Sequence, residues 1–481
     1  MGLNPRERID RVTKDLCAYL KLGIEQAGHP IAIVERGEGN PETNRINARS
    51  IRKVIVNAGK KLKFVLNSRE IAEIQQNLSD AAEAADTEFD VCLRVAPIEK
   101  GVEIDVGDKS QTRIRLTPGK VDIINSGSEA LFYRPAVLKP FVMPADTGDL
   151  GLLFQYLNFE KDYAWLLLAW MCLVISTPRS DHASYPILVL VAEQGASKTT
   201  TCKFIRSILD PSDLGVQGFP SDRKDMVLAS NNAHILIYDN LRYLSKKWSD
   251  ILCIGSTGGN DPTRKLYTDG ELVNHRFLVP LILNGIHDFV EEPDLAQRCI
   301  RLELKSIPEN KRRDQKELSE AFYADLPSIF RGLLDLTAKI LEKLPTAIVT
   351  YPERMLSYVQ YLAATEEVLK MDSGKLQSIY SKILNDTQRD SAFENPLASV
   401  IYELMTSGSK HKWSGTPSEL LSFILDSIGR YDSRQRLLPN NPISLSKRLK
   451  ALQAPLRKLQ IEVVFTRGNE RKITITNLEV F

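Results

Sequence analysis

The 481-residue sequence predicts a multidomain α/β protein, and three observations carry that prediction. Residues 186–191 (PILVLV) are a short, unbroken apolar run of the kind shown by a parallel strand buried on both faces. The turn-prone segment AEQGAS follows, and a Lys-Thr pair then opens a stretch where Cys202, Phe204, Ile205 and Ile208 recur at helical spacing until Pro211. On either side of this core, residues 90–124 alternate as short antiparallel strands, and the end of the chain reads as three helices and a β-hairpin. The expected divisions are a small α+β N-terminal domain (1–145), the α/β core with a helical lid (146–345), a helical linker (346–394) and a C-terminal winged helix–turn–helix (395–481).

Composition narrows the function classes. The six cysteines are scattered, without a CxxC pair or a nearby His, which argues against a zinc site or disulfide framework and for a reducing, cytoplasmic setting. The opening MGLNPRERIDRV is charged from residue 6 and does not read as a signal peptide. The most apolar run, 163–176, is too short for a bilayer and predicts a buried helix, so no membrane role is expected. Net charge is +2, but residues 409–481 carry thirteen Lys/Arg against six Asp/Glu, leaving 50 and 55 for the rest of the chain. A basic tail points to a nucleic-acid or other acidic partner there, with a solvated basic face as the alternative.

In the N-terminal region, apolar spacing predicts helices over 11–26 and 68–85, joined by a polar connector around 36–50. The segments VCLRV, VEIDV, TRIRL and VDIIN then predict an antiparallel meander. No catalytic constellation is visible in this region. Docking or oligomerisation is its first reading and a second nucleic-acid module the other.

Strand, tight loop, Lys-Thr and helix form the layout of a phosphate-binding P-loop, with loop N–H groups facing phosphate and a hydroxyl available for Mg²⁺. Against GxxxxGK[ST], Ala192 and Ser197 replace the two glycines, while Gly195, Lys198 and Thr199 match. The cradle would run through Gly195, Ala196, Ser197, Lys198, Thr199 and Thr200. About forty residues on, the strand in NAHILIYDN ends in Asp239, the position for a carboxylate that holds Mg²⁺ with Thr199. Asn240 follows where a general base would be useful. An amide orients water but cannot take its proton, so the base is unassigned; Glu193 in the loop reads first as a solvated carboxylate and second as a substitute base. Next come a helix over 247–259 with a Gly-Gly stop, alternating arms around Thr268-Asp269-Gly270, a buried strand ending in Asn284, and a short helix carrying Arg298 before another strand. Residues 314–344 read as a helix, followed by helices over 355–369 and 376–384.

The ordered runs AEQGASKTT, YDNL, STGG, RKLYTDGE, PLILNGI and DLAQR resemble the AAA+ ATPases of the superfamily-three helicase type, and more closely the helicase-like modules of phage and integrative-element replication proteins. The resemblance covers about residues 140–345 and, more loosely, the C-terminal tail. It implies ATP and Mg²⁺ as cofactors, Lys198 and Thr199 on the phosphates, Asp239 in the second nucleotide motif and Asn284 as a water-positioning sensor. It also implies Arg298 as an arginine finger reaching the neighbouring subunit of a homo-oligomeric, hexameric ring. Arg298 has an alternative reading as an ion-pair partner of Asp294, with Arg301 as the fallback finger. The hairpin over 264–276 would track DNA in the channel. Its basic residues, Arg264 and Lys265 among them, sit low on the arms, however, and Asp269 and Glu271 occupy the tip, which favours a subunit contact almost equally.

In the tail, helices are expected over 397–405, 417–428 and 444–453, the last capped by Ser444 and kinked near Pro455. Lys447, Arg448, Lys450, Arg457 and Lys458 on the third helix and Arg467, Arg471 and Lys472 on the hairpin would meet DNA; a protein-contact role is the alternative. Three functions therefore stand as expectations. The first is an ATP-driven ring helicase or initiator of a phage or mobile element. The second is a slow ATP-dependent switch that loads another replication or defence factor, and the third a DNA-binding interaction protein with a structural P-loop. No primase site is visible, so a separate primase is an expected partner.

Overall fold

The computed structural model describes residues 4–480 apart from positions 36, 38, 181 and 194 and the stretches 265–271, 287–288, 308–312, 408–410, 429–432 and 468–470. Its centre is a five-stranded, all-parallel sheet of β1 (Ile187–Val191), β2 (Gln217–Gly218), β3 (Leu236–Leu241), β4 (Leu281–Gly285) and β5 (Cys299–Glu303), in the order β2-β3-β4-β1-β5. The unbroken apolar strands follow from burial on both faces. Leu188, Leu190, Ile237, Ile282 and Ile300 point into a cluster with helices Lys161–Ser176, Lys198–Leu209 and Gln315–Lys343. Their neighbours Val189, Leu236, Tyr238 and Leu283 point the other way, toward helices Arg223–Ser230 and Lys246–Thr257. Helix Lys161–Ser176 is the apolar run of the sequence and lies in this core, with Trp170 Nε1 donating to Pro186 O at 2.7 Å. Among the described residues, no helix is long and apolar enough to cross a membrane.

Several boundaries differ from the sequence expectation. The first helix is Pro5–Tyr19, not 11–26. Asn4 and Glu7 form a capping box around Pro5, and the rest of the apolar pattern belongs to strand Leu20–Glu25, paired with Pro30–Val34. The expected polar connector contains strand Glu42–Arg45 and leads into an unexpected helix, Arg49–Lys61. The meander is antiparallel, but its first strand is Val95–Ile98, because Val91–Cys92 pairs in parallel with Leu131–Phe132.

The meander shares its core with the central sheet: Val102, Ile104, Ile114 and Leu116 belong to the cluster that holds Leu188 and Leu190. The junction is also polar. Arg94, fully buried, donates to Asp210 Oδ1 at 2.9 Å and to the carbonyls of Lys139 and Pro211. Asp210 also accepts from the backbone N–H of His234 at 2.7 Å. Burial alone would raise the Asp210 pKa, but Arg94 and Arg206 hold it below the ordinary carboxylate value.

The end of the chain is a three-helix unit, Pro396–Thr406, Pro417–Ser427 and Pro442–Ala451, with its own core and a three-stranded antiparallel sheet. The third helix starts two residues before the expected Ser444, because Asn441 caps it by accepting from Ser444 N–H. A separate short helix, Gln453–Lys458, follows, so the chain breaks at Leu452 rather than kinking near Pro455. Ile461–Arg467 and Arg471–Asn477 form the expected hairpin, and strand Lys412–Gly415, not foreseen, pairs with Arg471–Asn477, which becomes the central strand.

Candidate functional site

The cavity of interest has a volume of about 480 Å³ and opens where β1, β3 and β4 end. Open parallel sheets place their ligand sites at this carboxyl edge. Gly195 to Thr200 line one side, Asp239, Asn240 and Asn284 the other, joined by Gly285, Ile286 and Gln315. The sequence pattern singled out all of these except the last three. Gly285 is required by close approach, since a Cβ there would lie 2.5 Å from the carbonyl oxygen of Leu241. Gln315 is the first residue of the long helix Gln315–Lys343 and comes to the cavity from that side.

The loop has the curvature of a phosphate cradle without its usual glycines. Gly195 has φ +84° and Ser197 φ +60°, so a serine adopts the left-handed conformation that the pattern normally gives to glycine. Helix Lys198–Leu209 begins directly after it, with no side chain capping its first turn. Those N–H groups and the positive end of the helix dipole favour an anion. Lys198 Nζ folds back onto the loop, donating to Ala192 O at 2.5 Å and Glu193 O at 2.9 Å. Partial burial lowers its pKa, while Asp239 pulls it back up.

Across the cavity, Thr199 Oγ1 donates to Asp239 Oδ2 at 2.7 Å. A hydroxyl and a carboxylate held this closely beside an anion cradle are the hard oxygen donors that Mg²⁺ takes, with phosphate and water completing its shell. Asn240 also has a left-handed backbone, φ +66°, where the β3–β4 register shifts. The fully buried Asn284 fixes that backbone: its Oδ1 accepts from Asn240 N–H at 3.2 Å, and its Nδ2 donates to Cys202 Sγ at 3.3 Å. Burial pushes the Cys202 thiol up to about 12 and keeps it neutral. Asn284 is thus committed to shaping the strand end beside Asp239.

Arg298 does not line the cavity. It is 8% exposed and lies on Asp294, with NH1 2.6 Å from Oδ2 and 2.7 Å from the backbone carbonyl. Arg354 holds the other carboxylate oxygen at 2.8 Å. The ion-pair arrangement weighed from the sequence is therefore present in the single chain. Arg301 stands on β5, three residues on.

The expected nucleic-acid residues separate by environment. Lys265 lies outside the described residues, as do Asp269 and Glu271, and nothing is described for the side chains of Arg264, Arg467 and Arg471. The backbone arms Gly259–Arg264 and Leu272–Phe277 do pair antiparallel. In the tail, Lys447 and Lys472 are exposed. Arg448 donates to Leu437 O at 2.8 Å, Lys450 lies over the Phe465 ring at 5.4 Å, Arg457 pairs with Glu462 and Lys458 donates to Asn385.

Two family models match this chain. Residues 150–386 match the actinomycete integrative conjugative element replication protein, RepA, and residues 397–480 match the RepA C-terminal domain of these elements. No curated protein matches. Among solved structures, the A-form apo structure of the NrS-1 C-terminal region is 12% identical over 99% of each chain, with a TM-score of 0.41. JCV helicase, solved with a bound thiazolopyridine compound, is 10% identical over 47% of this chain and 66% of its own, with a TM-score of 0.22. Likeness this distant does not assign a function. The two family matches, in chain order and together well over half the sequence, do assign a family: the chain belongs to the replication proteins of actinomycete integrative conjugative elements.

Proposed function

We propose that this replication protein is an ATP-driven motor that acts on DNA as a homo-oligomeric, hexameric ring, in the manner of superfamily-three AAA+ helicases. The observation that carries the reading is the Thr199–Asp239 contact at 2.7 Å beside Lys198 and the uncapped helix start. In that role the N–H groups of 195–200 bind the phosphates of ATP, and Lys198 leaves its loop carbonyls for the terminal ones. Thr199 and Asp239 hold Mg²⁺, which neutralises charge on the transferred phosphoryl group. Asn284 keeps the Asp239 strand end in shape, and Asn240 presents its amide to water. Arg298 reaches a neighbouring site only after leaving Asp294, which ties turnover to assembly. The C-terminal unit acts as a winged helix on DNA, with the exposed Lys447 and Lys472 among its contacts.

A second reading, a slow assembly switch, is favoured by one feature. Asp239 is the single carboxylate among the described residues lining the cavity, so with Asp239 serving Mg²⁺ no second carboxylate there is left to accept a proton from water. Purified protein with Mg-ATP and a forked duplex separates the readings. DNA-stimulated phosphate release with strand separation is the expected result. Turnover without strand separation moves the protein to the switch, and no turnover under any condition overturns both.

A further inference from the structure

The basic tail is not the one place where positive charge collects. Residues 46–69 hold seven Lys/Arg and no Asp/Glu, a run hidden in the whole-chain count because residues 70–90 carry seven Asp/Glu and no Lys/Arg. The structure makes this stretch the helix Arg49–Lys61 and the turn after it. Ile51, Ile55, Ala58 and Gly59 are buried against helices Pro5–Tyr19 and Ser68–Ala84, and the opposite side is open. At 100° per residue, Arg49, Arg52, Lys53 and Lys60 fall within about 100° of one another on that open side, and all four are exposed. Lys61 and Lys63 extend the positive surface past the helix end. None of these six is in an ion pair among the described residues. Nearby Glu70 is committed to Arg8 at 2.6 Å. Lys61 lies 5.9 Å from the ring centroid of Tyr19, which is itself 43% exposed.

A one-sign stripe with no carboxylate partner repels itself, and helix-surface like charges are normally interleaved with opposite ones. A polyanion relieves that repulsion. From Arg49 to Lys60 the stripe spans about 17 Å, the axial rise of roughly five nucleotides of one strand. Arginine and lysine ends mixed along a helix suit a phosphate backbone, and an exposed tyrosine beside them offers a stacking surface. We infer that the N-terminal α/β unit is a second nucleic-acid surface, on which helix Arg49–Lys61 binds the sugar–phosphate backbone without reading sequence. This does not depend on the tail being a DNA-binding domain.

The test uses the full chain and fluorescence anisotropy with random-sequence 30-nucleotide single strands and 30-base-pair duplexes over a range of salt. The variant carries Arg49→Gln, Arg52→Gln, Lys53→Gln and Lys60→Gln. A second variant has only Lys53→Gln and Lys60→Gln. A control removes the same charge elsewhere through Lys100→Gln, Lys224→Gln, Lys339→Gln and Lys343→Gln, and another removes the tail cations through Lys447→Gln and Lys472→Gln. The fourfold stripe variant is expected to bind at least tenfold more weakly at low salt. Its slope of log affinity against log salt should fall by about three, with the double variant in between and the dispersed control unchanged. The preferred oligonucleotide shows whether single strand or duplex is the ligand. Wild-type affinity and slope in both stripe variants would overturn the inference, including the case where they lose binding only to anionic lipid vesicles. Loss in the tail variant alone would overturn it as well; loss in the stripe variants alone would sustain it while removing the tail reading.

Discussion

Ser197 stands directly before helix Lys198–Leu209, at the position where the phosphate-binding pattern expects glycine. The usual pattern has glycine before the lysine because that residue is left-handed, and here serine takes φ +60° in its place. Asn240 at φ +66° is a second such residue, held through Asn284, in a conformation that asparagine tolerates better than glutamate. The pattern was legible through Lys198, Thr199 and Asp239, but the roles of Gly285 and Gln315 were not, since neither residue type signals a cavity. Ser197→Gly is expected to leave both stability and Mg-ATP affinity at or above wild type. Ser197→Val, β-branched in a left-handed position, should lose about 1–2 kcal/mol in urea unfolding. A valine variant as stable as wild type would show that the loop does not need this backbone.

Among elements, the central sheet was readable because its strands are apolar runs ending in polar residues, and Asp239 and Asn284 sit where the pattern put them. The meander was also readable from alternation, but its attachment to the sheet was not. Arg94 and Asp210 are 116 residues apart, and no local pattern links them. Helix Arg49–Lys61 was missed because its start has no side-chain cap and lies within a polar stretch. The expected helix over 11–26 merged a helix with a strand whose apolar residues happen to continue its spacing. Because Arg94 is fully buried, Arg94→Ala strands the Asp210 carboxylate without its main partner. Unfolding should become easier by about 3–5 kcal/mol, and the meander should exchange amide protons faster. A loss below about 1 kcal/mol would mean that Arg206 alone satisfies Asp210.

At the scale of the whole molecule, the core carries a built-in acid sensitivity. His234 is buried, donates to Val174 O at 3.0 Å, and has its pKa pushed down to about 4 by burial and the nearby Arg179. Its folded-state pKa lies below its ordinary 6.5, so the unfolded chain takes up a proton first and stability falls as pH drops from about 6.5 to 4. The loss is on the order of 3 kcal/mol. Below that range Asp105 and Asp210, both held under the ordinary carboxylate value, lose their own stabilising contribution. Melting curves across pH should show the first decline in wild type and a flatter profile in His234→Gln; identical profiles would exclude His234 as the source. The division of labour among replication, assembly and DNA contact rests in the end on whether the cavity at the sheet edge binds nucleotide. Isothermal titration of Mg-ATP into wild type and Lys198→Ala measures this directly. Saturable nucleotide binding is expected in the wild type, with at least a hundredfold loss in the variant. Equal affinity in the two proteins, or no binding in either, would contradict nucleotide binding at this cavity.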